Sequence, residues 1–145
     1  MSGRAVVAAL SLLAALSAAP AARAEGRDGT YAGTIRCEAL PGMRALRTAV
    51  TMTVEGDRVR YEREIHHPTG GPSGTFERGE GRVGPEGELT LTTQATGPAY
   101  AYEAEYRGRI EAETAQLTGA QRWKRRSETG TIVRPCTLDL RRRPP

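Results

Sequence analysis

From Gly29 to the end of the chain, apolar residues return at every second position, and each run is broken by turn residues. This period is that of a strand with one apolar and one polar face. Tyr31, Gly33, Ile35 and Cys37 share one face of a first strand, and Val50, Met52 and Val54 alternate with Thr51 and Thr53 in a second. In a third, Val59, Tyr61 and Ile65 alternate with Arg58, Arg60, Glu62 and Glu64. Phe76 anchors a poorer fourth, SGTFERGEGRV, and Leu89 and Leu91 mark a fifth. Tyr100, Tyr102, Ala104, Tyr106, Gly108 and Ile110 make the cleanest run, opposite Glu103, Glu105, Arg107 and Arg109. Leu117, Gly119 and Trp123 mark a seventh strand, and Ile132, Cys136, Leu138 and Leu140 an eighth. No amphipathic helix of useful length interrupts them. One-sided strands must wrap a single core, so the expectation is an all-β domain. Short connections favour a single small antiparallel up-and-down barrel of about eight strands, with a two-sheet β-sandwich as the alternative.

The connections divide into two kinds. Glu55-Gly56-Asp57, Gly84-Pro85-Glu86-Gly87 and Glu111-Ala112-Glu113 are tight turns. Glu38 to Arg47, His66 to Ser73, Ala95 to Ala99 and Lys124 to Thr129 are longer or looser. In a meander, connections alternate between the two ends, so one end is closed and the other open. The chain holds 2 cysteines, and an exported chain pairs them. A Cys37–Cys136 bridge would fasten the first strand to the last and close the barrel. It sets a register with Ile35 facing Leu138, Gly33 facing Leu140 and Tyr31 facing Arg142, and the apolar faces agree. Because a directly cross-strand bridge is tight, an alternative puts Cys37 just past its strand.

Export is itself an expectation. Residues 1–24 carry Arg4, an apolar run from Val6 to Leu16 too short to span a bilayer, and Ala22-Arg23-Ala24 as a cleavage site. The barrel domain then spans 25–145 and ends in a short basic tail, in the periplasm or outside the cell. No second apolar run is long enough for a transmembrane segment. Against 17 acidic residues the chain has 21 basic ones. Arg4 and Arg23 belong to the leader, so a net charge of about +2 remains, a weak basis for a nucleic-acid partner.

Candidate chemistry is sparse. His66 and His67 are neighbours, and on a strand they point to opposite faces; zinc needs further ligands, so no metal site or other cofactor is expected. Ser73 lies among glycines as a turn residue, and the carboxylates of the third and sixth strands face arginines across the sheet. No catalytic set emerges. Arg122, Lys124 and Arg126 face outward together, which allows weak contact with an anionic envelope surface, while Trp123 faces in. Tyr31, Tyr61, Tyr100, Tyr102 and Tyr106 all fall on inward faces, where small barrels either fill the interior or hold a ligand. These tyrosines and Trp123 are the candidate pocket. The loops bearing Leu40, Met43, His66 and His67 are the candidate partner contacts.

Gly29-Thr30-Tyr31, the meander and the open end resemble the lipocalin and avidin group of barrels, which carry Gly-x-Trp in the first strand. Lipocalins also place a late arginine across that tryptophan. Tyr31 stands at the tryptophan position, and Arg142 is its register partner. The resemblance covers Asp28 to Arg143 and implies the barrel architecture and ligand binding. More broadly, the chain is similar to small exported bacterial proteins. The expected function is a non-enzymatic, monomeric barrel binding a small apolar or amphipathic molecule at its long-loop end. The alternative is a protein-interaction module, such as an inhibitor of an envelope or host enzyme.

Overall fold

The computed structural model describes residues 25–67 and 69–145; the expected leader lies outside them. After a short 3-10 turn, Glu25–Arg27, eight strands follow: β1 Gly29–Cys37, β2 Leu46–Glu55, β3 Arg58–His66, β4 Pro72–Val83, β5 Glu88–Thr96, β6 Tyr100–Ile110, β7 Thr114–Arg125 and β8 Ile132–Arg142. Each pairs with its sequence neighbours, and β8 pairs antiparallel with β1, closing an up-and-down barrel. The sandwich alternative is excluded by that last ladder. Its register sets Ile35 against Leu138, Gly33 against Leu140 and Tyr31 against Arg142.

Cys37 and Cys136 form a disulfide with a Cα–Cα distance of 4.1 Å. Cys37 is the last residue of β1 and lies directly opposite Cys136, not beyond its strand. In the next pair outward, the Glu38 N–H donates to the Pro135 carbonyl at 3.0 Å. Hydrogen-bonded and non-bonded pairs alternate along an antiparallel ladder, so the cysteines occupy a closely spaced non-bonded pair.

The barrel is filled from its tight-turn end. Tyr31, Val54, Leu89, Ile110 and Leu140 are buried there, and Met52, Leu91, Leu117 and Leu138 are buried along the same inward faces. Inward glycines make space for large rings. Tyr61 lies opposite Gly79, and Tyr106 opposite Gly119. A Cβ at Gly119 would fall 1.9 Å from the carbonyl oxygen of Glu105, so the close approach of the strands there requires glycine.

Two details differ from the sequence expectation. Phe76 does not anchor β4 from within. It pairs with Glu64 on the outer face, where the Arg78 guanidinium sits 4.6 Å from its ring centroid. The inward residue beside it is Glu77, fully buried. The strands are also longer than expected: at the open end β5 continues through Thr96 and β4 begins at Pro72, and at the tight-turn end β8 includes Arg141 and Arg142, leaving a tail of Arg143-Pro144-Pro145.

Candidate functional site

The inward faces of β3 and β4 each bring a charge into the upper half of the barrel. Arg63, between Tyr61 and Ile65, is 5% exposed, and Glu77 is 0% exposed. Arg63 donates to Glu77 Oε2 from Nε at 2.9 Å and from Nη2 at 2.8 Å. The Tyr61 hydroxyl donates to the same oxygen at 3.3 Å. Glu77 Oε1 accepts from the Thr93 hydroxyl at 2.6 Å and from the Tyr106 hydroxyl at 3.3 Å. Arg63 Nη2 also donates to the Tyr102 hydroxyl at 2.9 Å. Such an ion pair persists in a low dielectric only when its remaining hydrogen-bonding capacity is met, and Glu77 is enclosed by donors from three strands, β3, β5 and β6.

The network runs outward to the mouth. Gln121, itself fully buried, donates from Nε2 to the Tyr106 hydroxyl at 3.4 Å, and its Oε1 accepts the Trp123 indole N–H at 2.9 Å. Among the described residues no buried side-chain nitrogen or oxygen lacks a partner. Burial, and after it the Glu77 carboxylate, pushes the phenols of Tyr61, Tyr102 and Tyr106 far above their usual range. Burial lowers the affinity of Arg63 for its proton, but Tyr102 and Glu77 outweigh it and leave the guanidinium above its ordinary value.

Five of the six aromatic residues of the candidate pocket gather in this half. Trp123 packs against Tyr102 with ring centroids 4.3 Å apart and against Tyr100 at 5.1 Å, the planes tilted by 31° and 41°. Trp123 and Tyr100 are half-buried and form the rim; Tyr61, Tyr102 and Tyr106 lie beneath. Tyr31 is apart from them. Its hydroxyl donates toward the carbonyls of Arg27, Glu111 and Ala112, at 2.9, 3.1 and 3.2 Å, across the tight-turn end. Beside it Arg142 reaches the Gly26 carbonyl at 3.1 Å.

The β1–β2 loop overhangs the same mouth. Leu40 and Met43 exchange two backbone bonds of 2.8 Å around Pro41-Gly42, and Gly42 has φ +72°, the conformation a type II turn asks of its third residue. The loop is held from beneath by Arg134, an inward residue of β8 that is 3% exposed. Pro135 has no N–H to return to the carbonyl of Glu38. Arg134 Nε takes that carbonyl at 2.8 Å, and Nη2 takes that of Arg44 at 2.5 Å. Leu40 and Met43 are half-buried, whereas His66 and His67 are exposed in the β3–β4 connection.

A separate shallow hollow of about 740 Å³ lies on the outside of the barrel, across β2 to β6, and Thr51, Glu62, Arg78 and Gln94 are among its walls. Its charged groups answer one another, as in the 2.8 Å Arg78–Glu62 pair. Inside the mouth the ionisable groups are locked together; what the rim offers is an aromatic surface for stacking. Sequence reading overlooked Arg63, Glu77, Thr93, Gln121 and Arg134 as interior groups, although the alternation of each strand assigns them there.

Comparison with known families, with curated proteins and with solved structures finds no match to this chain. The disulfide is of a kind that persists in oxidising compartments, and no described helix is long and apolar enough to cross a membrane.

Proposed function

We propose that the protein is an exported, non-enzymatic, monomeric binding protein that holds a small apolar or amphipathic molecule against the aromatic rim of its long-loop end. The observation that carries this reading is the half-buried Trp123–Tyr100 pair set over Tyr102. An aromatic surface left partly open above a closed hydrogen-bond network accepts apolar area without disturbing a buried partner. The satisfied Arg63–Glu77 network favours a seat at the rim over one deep in the lumen. The lipocalin-like reading of Tyr31 and Arg142 belongs to this proposal as an account of architecture and ligand binding.

Trp123 is the only tryptophan, so its emission reports the seat directly. Titration with laurate and with 1-anilinonaphthalene-8-sulfonate should give a saturable change of one molecule per chain. In Trp123→Ala and Tyr100→Ala variants, followed by the dye's own emission, the dissociation constant should rise at least tenfold. Absence of saturation, or affinity indifferent to both substitutions, would sink the reading.

A second reading has its own observation. The Leu40–Met43 turn is pre-shaped by its paired backbone bonds and pinned by Arg134, which lowers the ordering cost of docking to another protein. Under that reading the loop enters the cleft of an envelope or host enzyme. Inhibition of such an enzyme that disappears when Leu40 to Met43 are replaced by glycines would favour it over the small-ligand reading.

A further inference from the structure

The outer surface is charged unevenly, and the modest net charge conceals it. On the side formed by β3 to β6, acids and bases are interspersed: Arg78 is answered by Glu62, Arg82 by Asp57 and Arg107 by Glu105, although Arg58 lies directly across from Arg82. The side centred on β8 and flanked by β7 and β1 differs. Arg122 and Lys124 project together from β7, Arg141 from β8 and Arg36 from β1, all exposed. Asp139 is the acid on the outer face of these three strands; it meets Arg36 at 3.6 Å, and Glu103 of β6 lies beside Arg122 in the pairing. Arg36 is also directly cross-strand from Arg47 of β2. Like charges so placed destabilise a sheet, and an external anion removes that penalty. At the crest of this convex face, next to Arg122, stands Val133, 48% exposed and the one large hydrophobic side chain so open among the described residues.

We infer that this face docks on a bilayer rich in anionic phospholipid. Guanidinium and ammonium groups spread over neighbouring strands match a surface of many phosphates rather than one bound ion. Among the described residues the face carries no exposed aromatic for bases to stack on, which disfavours single-stranded nucleic acid. A convex crest with an apolar residue among cations is instead suited to the headgroup boundary, where a modest apolar contact adds to charge attraction. Docking is reversible and weakens with salt, because exposed charges are screened beyond about 10 Å at 0.1 M. The inference is independent of the ligand reading, since the rim is not needed for it.

The test is co-sedimentation of the purified, oxidised protein with phosphatidylcholine vesicles, with and without about one-third phosphatidylglycerol. Binding should require the anionic lipid and fall steeply with added salt. Arg122→Glu/Lys124→Glu should weaken it at least tenfold. Arg58→Glu/Arg60→Glu makes the same change in net charge on β3 and should alter it less than threefold. Arg122→Gln/Lys124→Gln, a milder pair, should also weaken it, and thermal melts show that each variant folds. Equal losses from the two faces would overturn the inference by reducing it to net charge. No binding to anionic vesicles at low salt, or tight binding to heparin or DNA without binding to vesicles, would overturn it as well.

Discussion

A carboxylate removed from water keeps its charge only while its lone pairs are answered, and Glu77 meets that condition through Arg63, Tyr61, Tyr106 and Thr93. Removing one partner leaves an uncompensated buried ion. Glu77→Ala or Arg63→Ala should each cost about 3–5 kcal/mol in urea unfolding, whereas Arg63→Met/Glu77→Leu should cost less than either alone. The tyrosines around the pair add a pH dependence of definite sign. Their folded phenols titrate above the unfolded value of about 10. Below pH 10 both states are protonated and the stability is fully present; above it the unfolded chain releases protons that the folded one retains. Stability should then fall by about 1.4 kcal/mol per pH unit for each buried tyrosine. Thermal melts between pH 8 and 11.5, with absorbance at 295 nm following phenolate, check this. Alternation alone places Arg63 with Tyr61 and Glu77 with Val83, so both positions were legible. Their partnership was not, because it depends on the register of β3 with β4, which the irregularity between Ile65 and His66 shifts.

At the level of elements, the two ends of the β1–β2 loop are tied together by one side chain from β8, which binds the carbonyls of Glu38 and Arg44. Pro135 interrupts the backbone exchange with Glu38, and Arg134 substitutes for the missing donor while it also captures Arg44. Arg134→Ala strands two carbonyls and should cost about 1–3 kcal/mol. Hydrogen exchange should localise the change: amides of Leu40 and Met43 should lose protection, while those of β5 and β6 keep theirs. The strands themselves could be read because period two survives in nearly all of them. β4 was the exception. Its inward face is Thr75, Glu77, Gly79, Gly81 and Val83, so hydrophobicity drew attention to Phe76 on the wrong side. Gly79 had a reason that only pairing reveals, the Tyr61 ring opposite. The open end was legible as the longer-loop end, but its loops are shorter than sequence implied, since β4 and β5 extend into them.

For the whole molecule, closure converts eight strands into a ring with no free sheet edge, which removes the usual template for aggregation. Seven neighbouring pairs are joined by their own connections; the pair β1–β8 is joined by the disulfide across 99 residues. In a chain-entropy treatment a loop of that size is worth about 4–5 kcal/mol. Cys37→Ser/Cys136→Ser should lose roughly that much in denaturant unfolding, and reduction of the native protein should reproduce the loss. Closure itself was legible from residues: pairing Cys37 with Cys136 aligns Ile35 with Leu138 and leaves no apolar face outward. The location of the half-open aromatic rim was less so, because Tyr31 and Tyr106 have the same inward parity and only the height of each along the barrel separates them.

A ring has no first strand. The ends of the barrel meet at the tight-turn side, where the Arg143 N–H reaches the Thr30 carbonyl at 2.8 Å and Arg142 reaches Gly26 at 3.1 Å. A short linker there would make β8 and β1 an ordinary hairpin, and the chain could be opened instead at Gly84–Gly87 without giving up a ladder. In such a circular permutant the cysteines would close a loop about a quarter as long, and in the chain-entropy treatment the same bond, in the same place, would contribute about 1 kcal/mol less to stability. Part of the value of this bridge, about a quarter of it, therefore lies in where the gene begins its reading of the ring.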